Sequence, residues 1–463
     1  MRFLYLAVLF SLSTLSHAND TGLTDKAIAN AEALRSQALQ SNNAYTIVES
    51  LTTEVGPRLA GSDGYERATR WAQEKFKSLG FDKVWLQPVT YPIWERNSES
   101  GRILSPYPQK LTLTALGGSV STHGALSAEA IEFTSLEALS AVADGSLKGK
   151  IVFVNLKMQR EKNGSGYGPV SNVRGKGASE ASKKGALAFI MRSAGTDTDR
   201  MPHTGVMRYE EGITKIPAAA LSVPDADLLA NMLKRGKPVI VELNIDAGYI
   251  GTKTEYNVIG EITGSGLPNE YVVIGGHLDS WDLGTGAIDD GAGVAITMAA
   301  GDLIGKLKKA PKRTIRVIAY ANEEQGLFGG KAYADAMKAD VAKHQIGAES
   351  DFGAGKIYAL YAGVNAASWP VIEQIGKVLQ PLGIELNKTN GGPGPDIGPM
   401  AALGMPWAAL AQDGTDYFDY HHTANDTLDK INPEALKQQV AAYAVLAYLA
   451  AETDINFEPA EKK

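Results

Sequence analysis

From Tyr256 onward the chain repeats one pattern: a short apolar run, a loop carrying acids or histidine, then a helical stretch. Runs at 271–274, 315–319 and 406–410 read as strands, and Ile296, Ala300, Leu303 and Leu307 recur at helical spacing on one apolar face. Such alternation predicts an α/β protein with a mixed, mainly parallel sheet covered by helices. Reactive groups in these sheets gather beyond the carboxyl ends of the strands. The loops after the apolar runs are therefore the places to look for chemistry.

The chain of 463 residues is longer than one compact domain usually is, which predicts two domains. Residues 1–18 read as a signal peptide: Arg2 supplies the positive head, 3–10 the apolar run, and Ser16-His17-Ala18 the small-residue cleavage site. Residues 19–118 form a first part, helical over 25–54 and again through Trp71 and Phe76 to Leu79, where Gly80 stops the helix. A strand is expected at 84–91. Residues 119–246 change character, with short apolar runs at 151–156, 186–191, 217–221 and 239–245, and read as a small inserted α/β module. The Gly-rich piece at 163–177 lacks the strand–turn–helix setting of a phosphate cradle and is expected to be a mobile surface loop. Residues 247–463 hold the remaining strands and end on a helix buried at 440–451.

Composition narrows the chemistry. A net charge of −7 argues against a nucleic-acid partner, which needs basic stripes. No basic amphipathic stretch suggests a membrane surface, so no membrane partner is expected once the signal is cleaved. The chain has no cysteine, which excludes thiolate ligands and a cysteine nucleophile. Any metal must rest on imidazole and carboxylate. Export without disulfides fits a periplasmic or secreted protein.

Three of the seven histidines, His277, His421 and His422, lie among acids. His277 follows Tyr271-Val272-Val273-Ile274-Gly275-Gly276, where a central strand would end, and Asp279 stands near enough to accept its second ring N–H. Asp289 and Asp290 precede a helix; capping accounts for one of them. The strand at 314–320 leads into Asn322-Glu323-Glu324-Gln325-Gly326. Adjacent glutamates at a buried strand end repel, unless a cation binds one and leaves the other to take a proton from water. Asp351 ends another short segment, and 419–427 brings His421 and His422 into a polar loop ahead of a helix starting at Asn432-Pro433. Each residue alone also reads as a structural or solvated one. Together they offer enough ligands for two metal ions, provided that one carboxylate bridges them. Spacing leaves open which of His421 and His422 is the ligand.

The order His277-x-Asp279, Asp289-Asp290-Gly291, Glu323-Glu324, Asp351 and His422-Thr423-x-x-Asp426-Thr427 resembles the di-zinc exopeptidase family of bacterial aminopeptidases and carboxypeptidase Q, with the carboxypeptidase Q branch most similar. The resemblance implies a zinc exopeptidase fold interrupted by a protease-associated domain at 119–246, and two Zn2+ per chain. By it, Asp289 bridges the ions, His277 and Asp351 complete one site, and Glu324 and His422 complete the other. Glu323 is the general base and Asp279 the partner of His277; the pattern selects His422 over His421. The activity implied is hydrolysis of dipeptides or short peptides, with an aminopeptidase on the same site as the alternative. An inactive receptor-like binding protein and a glutaminyl cyclase-like acyl transferase are readings from other classes. A peptide substrate and a homodimer are the implied partners.

Overall fold

The computed structural model describes residues 21–389 and 391–461, so the expected signal peptide lies outside the described residues. Among them, no helix is long and apolar enough to cross a membrane. Every residue of the strand Arg313–Tyr320 is buried. Ile315, Val317 and Ala319 enter one hydrophobic cluster, while Ile318 and Tyr320 enter another on the opposite face. Leu267–His277 behaves alike, with Val272 and Ile274 on the first side and Val273 on the second. A period of two with apolar residues on both faces is what a strand covered on both sides requires.

The sheet runs in the order Glu385–Leu386, Ile357–Gly363, Trp407–Gln412, His344–Glu349, Leu267–His277, Arg313–Tyr320 and Ile240–Ile262. Trp407–Gln412, His344–Glu349, Leu267–His277 and Arg313–Tyr320 pair in parallel, so their carboxyl ends share one edge of the sheet. That edge receives the loops containing Asp289, Glu323, Asp351 and His422. The helices Asp25–Ala38, Asn43–Ser50, Ala292–Gly305 and Pro433–Glu452 cover one face. Phe328–Met337 and Gly398–Ala402 cover the other. The mixed, mainly parallel sheet under helices is the architecture that the sequence predicts.

Ile240–Ile262 pairs along one part with Leu126–Phe133 and along another with Arg313–Tyr320. Lys83–Ser105 pairs antiparallel with nearly its full length. Through this ribbon the strands Leu126–Phe133, Lys150–Val154, Ala188–Arg192 and Ala218–Leu221 continue the same hydrogen-bonded sheet.

Several expectations need correction. The segment 163–177 is no mobile loop, because Tyr167–Lys183 is a helix. Val170, Val173, Ala178 and Ala181 are buried, and a Cβ at Gly177 would come within 2.2 Å of the Phe189 ring. Glycine there permits close packing of helix on sheet rather than flexibility. The helical reading of 25–54 breaks into Asp25–Ala38, Asn43–Ser50 and a π-helical turn at Leu51–Val55. Ala292–Gly305 is buried on almost every side, not on one face, since other helices pack over it. Pro433–Glu452 starts as expected, with the Asn432 side chain accepting from the Glu434 and Ala435 N–H groups.

Candidate active site

Two carboxylate oxygens organise the centre. Asp289 Oδ1 lies 3.0 Å from His277 Nε2, and Asp289 Oδ2 lies 3.2 Å from His422 Nε2. Asp351 Oδ1 is 3.4 Å from His277 Nε2, and Glu324 Oε2 is 2.9 Å from His422 Nε2. All five side chains have most of their surface buried. Asp289 thus stands between two imidazole–carboxylate pairs, and each pair meets a different oxygen of it.

The surroundings orient each imidazole. His277 ends its strand, and its Nδ1–H donates to the Asp279 carbonyl oxygen at 3.0 Å, leaving Nε2 to face the acids. The Asp279 carboxylate lies 3.5 Å from the same Nδ1 and accepts from the Glu323 and Glu324 N–H groups at 3.0 and 3.3 Å. It therefore fixes the glutamate turn as well as the histidine. His422 has φ +62°, in the left-handed region that non-glycine residues seldom occupy. Its Nδ1–H donates to the Thr204 carbonyl oxygen at 3.2 Å, and the Thr204 N–H donates to the His422 carbonyl oxygen at 3.0 Å. His203 reaches the His421 carbonyl oxygen at 2.7 Å and Asp197 Oδ1 at 2.9 Å.

The Asp289 loop is held from below. Asp426 accepts from the Ile288 and Asp289 N–H groups at 2.6 and 3.2 Å. Arg58, fully buried, donates to the carbonyl oxygens of Leu278, Thr285 and Gly286 at 2.5, 2.6 and 2.8 Å. Asp290 is engaged by backbone: its carboxylate accepts from the His277 and Gly293 N–H groups, both at 3.0 Å. That is the capping role expected of one acid of the pair.

Burial and neighbouring charge set the state of each group in the centre. Burial raises the carboxyls of Glu323, Glu324 and Asp351 above their usual range, because water no longer supports their charge. Burial also opposes Asp289, but the flanking His277 and His422 outweigh it and hold this carboxyl well below its ordinary value. Burial opposes the His277 imidazolium too, yet Asp351, Asp279 and Asp289 raise it overall. Glu324 Oε2 accepts from Trp281 Nε1 at 2.6 Å, while Glu324 Oε1 is buried without a hydrogen-bond partner. Ligand atoms of His277, Asp289 and Glu324 lie within 4.8 Å of one another, as do those of His277, Asp290 and Asp351 and of Asp289, His421 and His422. A crowd of buried carboxylates with an orphaned oxygen and inward Nε2 atoms fits metal cations of the hard-to-borderline class.

His421 stacks on His422 with ring centroids 3.4 Å apart, and its Nε2 is 3.7 Å from Asp289 Oδ2. His422 Nε2 faces two carboxylates, His421 Nε2 only one. Glu323 lines the adjoining cavity of about 420 Å³ together with Asp289, Glu324, Asp351 and both histidines. Its carboxylate makes no hydrogen bond among the described residues, although its own N–H is tied down.

All seven residues singled out from the sequence meet at this edge. Arg58, His203, Thr204 and Arg174, which also lines the cavity, were missed. A lone arginine in a turn carries no periodic signal, and His203 and Thr204 lie distant in sequence from the His421–His422 loop that they support. The pairing of His277-x-Asp279 with a Gly-Pro-Arg turn offers at most a faint hint of Arg58.

A cluster of this kind at the carboxyl edge of a parallel sheet defines a metal-dependent hydrolase class. The family model of Peptidase family M28 matches residues 257–447. Carboxypeptidase Q of Mus musculus is 34% identical over 89% of this chain and 86% of its own length. A crystal structure of a peptidase M28 precursor from Shewanella amazonensis superposes with a TM-score of 0.93 at 52% identity, covering 96% of this chain and all of that one. A zinc aminopeptidase from Bacillus subtilis shares the fold, with a TM-score of 0.66 at 20% identity over 90% of this chain and 97% of its own. The chain belongs to peptidase family M28 and is a metallopeptidase.

Proposed function

We propose that the protein is a zinc-dependent exopeptidase that hydrolyses dipeptides or short peptides in the manner of carboxypeptidase Q. The observation that carries this reading is Asp289, whose two oxygens face separate imidazole–carboxylate pairs beside an uncommitted Glu323. Two zinc ions would be held by His277 and Asp351 on one side and Glu324 and His422 on the other, bridged by Asp289. Bound there, such ions lower the pKa of a water to ~7 and polarise a carbonyl.

The chain's own groups then do the rest. Glu323 takes the proton of the attacking water and returns it to the leaving nitrogen, as a carboxylate that lines the cavity beside the candidate ligands is placed to do. Asp279 keeps the backbone of Glu323 and Glu324 in place, so the base and the ligand cannot exchange roles. A cavity of about 420 Å³ suits a small substrate rather than a folded protein. The same reading takes 1–18 as an export signal and 119–246 as a protease-associated domain, with Thr204 and His203 in that segment supporting the His421–His422 loop.

The alternative, an aminopeptidase, differs only in which substrate terminus is recognised. A panel of dipeptides, N-blocked dipeptides and amino-acid amides, assayed on zinc-loaded enzyme, separates the two. Elemental analysis should find two zinc ions per chain, and a chelator should abolish hydrolysis. Full activity with at most one bound ion would overturn the two-metal mechanism.

A further inference from the structure

The loop after the strand Leu267–His277 carries groups that touch the centre at alternate positions. His277 is a candidate ligand, Asp279 orients that imidazole and the glutamate turn, and Trp281 follows two residues on. Trp281 Nε1–H donates to Glu324 Oε2 at 2.6 Å, the same oxygen that lies 2.9 Å from His422 Nε2, while Glu324 Oε1 has no hydrogen-bond partner. The indole thus distinguishes the two oxygens of one candidate ligand. A buried indole needs only some acceptor, and a main-chain carbonyl suffices for Trp94, whose Nε1–H donates to the Ser119 carbonyl oxygen at 2.9 Å. Trp281 is directed instead at a carboxylate, and it lines the same narrow gap as Asp289, Glu324 and His422.

The ring has little room to leave that position. It is buried, with its centre 5.7 Å from that of the His422 ring and 6.2 Å from that of Trp94. A Cβ at Gly117 would fall 2.1 Å from Trp281 Cη2, so only glycine there leaves space for the indole. The Gly117 backbone is tied on both sides: its N–H donates to the Gly205 carbonyl oxygen at 3.0 Å, and its own carbonyl oxygen accepts from the Met207 N–H at 2.8 Å. Beside the ring, Asp282 accepts from Arg96 Nε–H at 3.2 Å, and Arg96 also donates to the Ala115 carbonyl oxygen at 2.9 Å. The segment after the strand Leu113–Ala115, which pairs with Ala218–Leu221, therefore sets where the indole stands.

Resting on the two-zinc reading above, we infer that Trp281 is a positioning residue of the metal centre. Its indole N–H holds Glu324 in the orientation that ligates the ion on the His422 side, and Gly117 holds the indole. Outer partners of this kind orient a ligand and set the affinity of its metal. A neutral donor does so without placing a positive charge beside the cation, as a lysine or arginine would. One short loop then serves both halves of the centre, with Asp279 acting on His277 and Trp281 acting on Glu324. Through Gly117, a segment outside the loops that bear the ligands tunes the affinity of one ion and not of the other.

The test is a stepwise zinc titration of chelator-stripped protein, read by metal affinity and by heteronuclear spectra of its six indole N–H groups. In the wild type one indole resonance should move well beyond the rest as the His422-side ion binds, because its acceptor becomes a ligand. That ion is identified as the one His422→Ala loses. Trp281→Phe keeps an aromatic ring, removes the N–H, and should delete that resonance. It should weaken the same ion by ~10- to 100-fold and leave the other at wild-type affinity. Gly117→Ala keeps the N–H but displaces the ring, and should weaken the same ion. Added to Trp281→Phe it should cost little more, since the smaller ring lacks the atom that the new Cβ meets. Should Trp281→Phe fail to fold, the wild-type spectra and Gly117→Ala decide the matter. An indole set that ignores zinc, both ions at wild-type affinity in the variants, or equal weakening of both ions overturns the inference while leaving the two-zinc reading intact. Wild-type protein that takes up at most one ion removes the two-zinc reading and the inference with it.

Discussion

The two imidazoles at the centre are held by different means. His277 closes a central strand and is oriented from two residues away, by Asp279, within the same sheet edge. His422 sits on a left-handed loop residue and is oriented from Thr204, more than 200 positions earlier, with His203 pinning its neighbour. One half of the site is a product of strand geometry; the other depends on two distant segments docking correctly. A residue at a strand end inherits its position from the ladder hydrogen bonds, whereas a loop residue must be fixed by contacts of its own. The His277 side should therefore be the sturdier half.

The largest expected effect lies between the two halves and should disturb neither. Glu323→Gln keeps the size of the side chain and every ligand, so zinc content and thermal stability should stay near wild type. Turnover should fall by ~10²–10⁴, the usual cost of losing a general base. Glu324→Gln should instead weaken metal binding, since it alters a carboxylate 2.9 Å from His422. A Glu323→Gln enzyme with normal zinc and most of its activity would show that another group takes the proton.

The next effect separates the halves. His203→Phe preserves volume but removes the bonds to Asp197 and to the His421 carbonyl oxygen. Loss of an outer partner costs a metal site ~10–100-fold in affinity, and the indirect support here places the effect near tenfold. On the proposed two-zinc reading, only one of the ions should weaken in a stepwise zinc titration. His422→Ala should lose that ion altogether, while His421→Ala should retain it. Equal weakening of both ions in His203→Phe would mean that the halves are not independently held.

The same contrast explains what could be read in the sequence. Strand ends announce themselves by apolar runs, so His277, Glu323, Glu324 and Asp351 were found by where the runs stop. The sheet class followed from the same runs. Contacts between distant segments leave no such trace: nothing near Thr204 or His203 points to position 422. The Gly-rich composition of 163–177 pointed to a loop because glycine weakens isolated helices. In the folded chain, packing of Gly177 against Phe189 overrides that preference and brings Arg174 into the cavity.

The smallest effect at neutral pH concerns the sturdier half away from the metals. His344 opens the strand His344–Glu349 beside Leu267–His277 and is buried. Its Nδ1–H donates to the Asp340 carbonyl oxygen at 3.0 Å and its Nε2 accepts from the Tyr333 hydroxyl at 2.8 Å, so the fold binds the neutral ring. Burial is the main reason that its pKa is lowered from 6.5 to about 4, with Arg316 adding to the effect against Asp340. The unfolded chain therefore holds the extra proton at pH values where the folded one does not. Stability from this residue is complete above pH ~6.5, declines as pH falls, and is lost below pH ~4, for a total of ~3 kcal/mol. His344→Gln should cost ~1 kcal/mol at neutral pH from its weaker hydrogen bonds, and should remove this slope. Denaturant unfolding of both proteins at pH 7, 5.5 and 4 measures the difference directly. The wild-type advantage should shrink and then reverse toward pH 4. A constant gap between the two proteins across that range would show that His344 titrates alike in the folded and unfolded chain, and that the strand beside the His277 half is not what keeps the ring neutral.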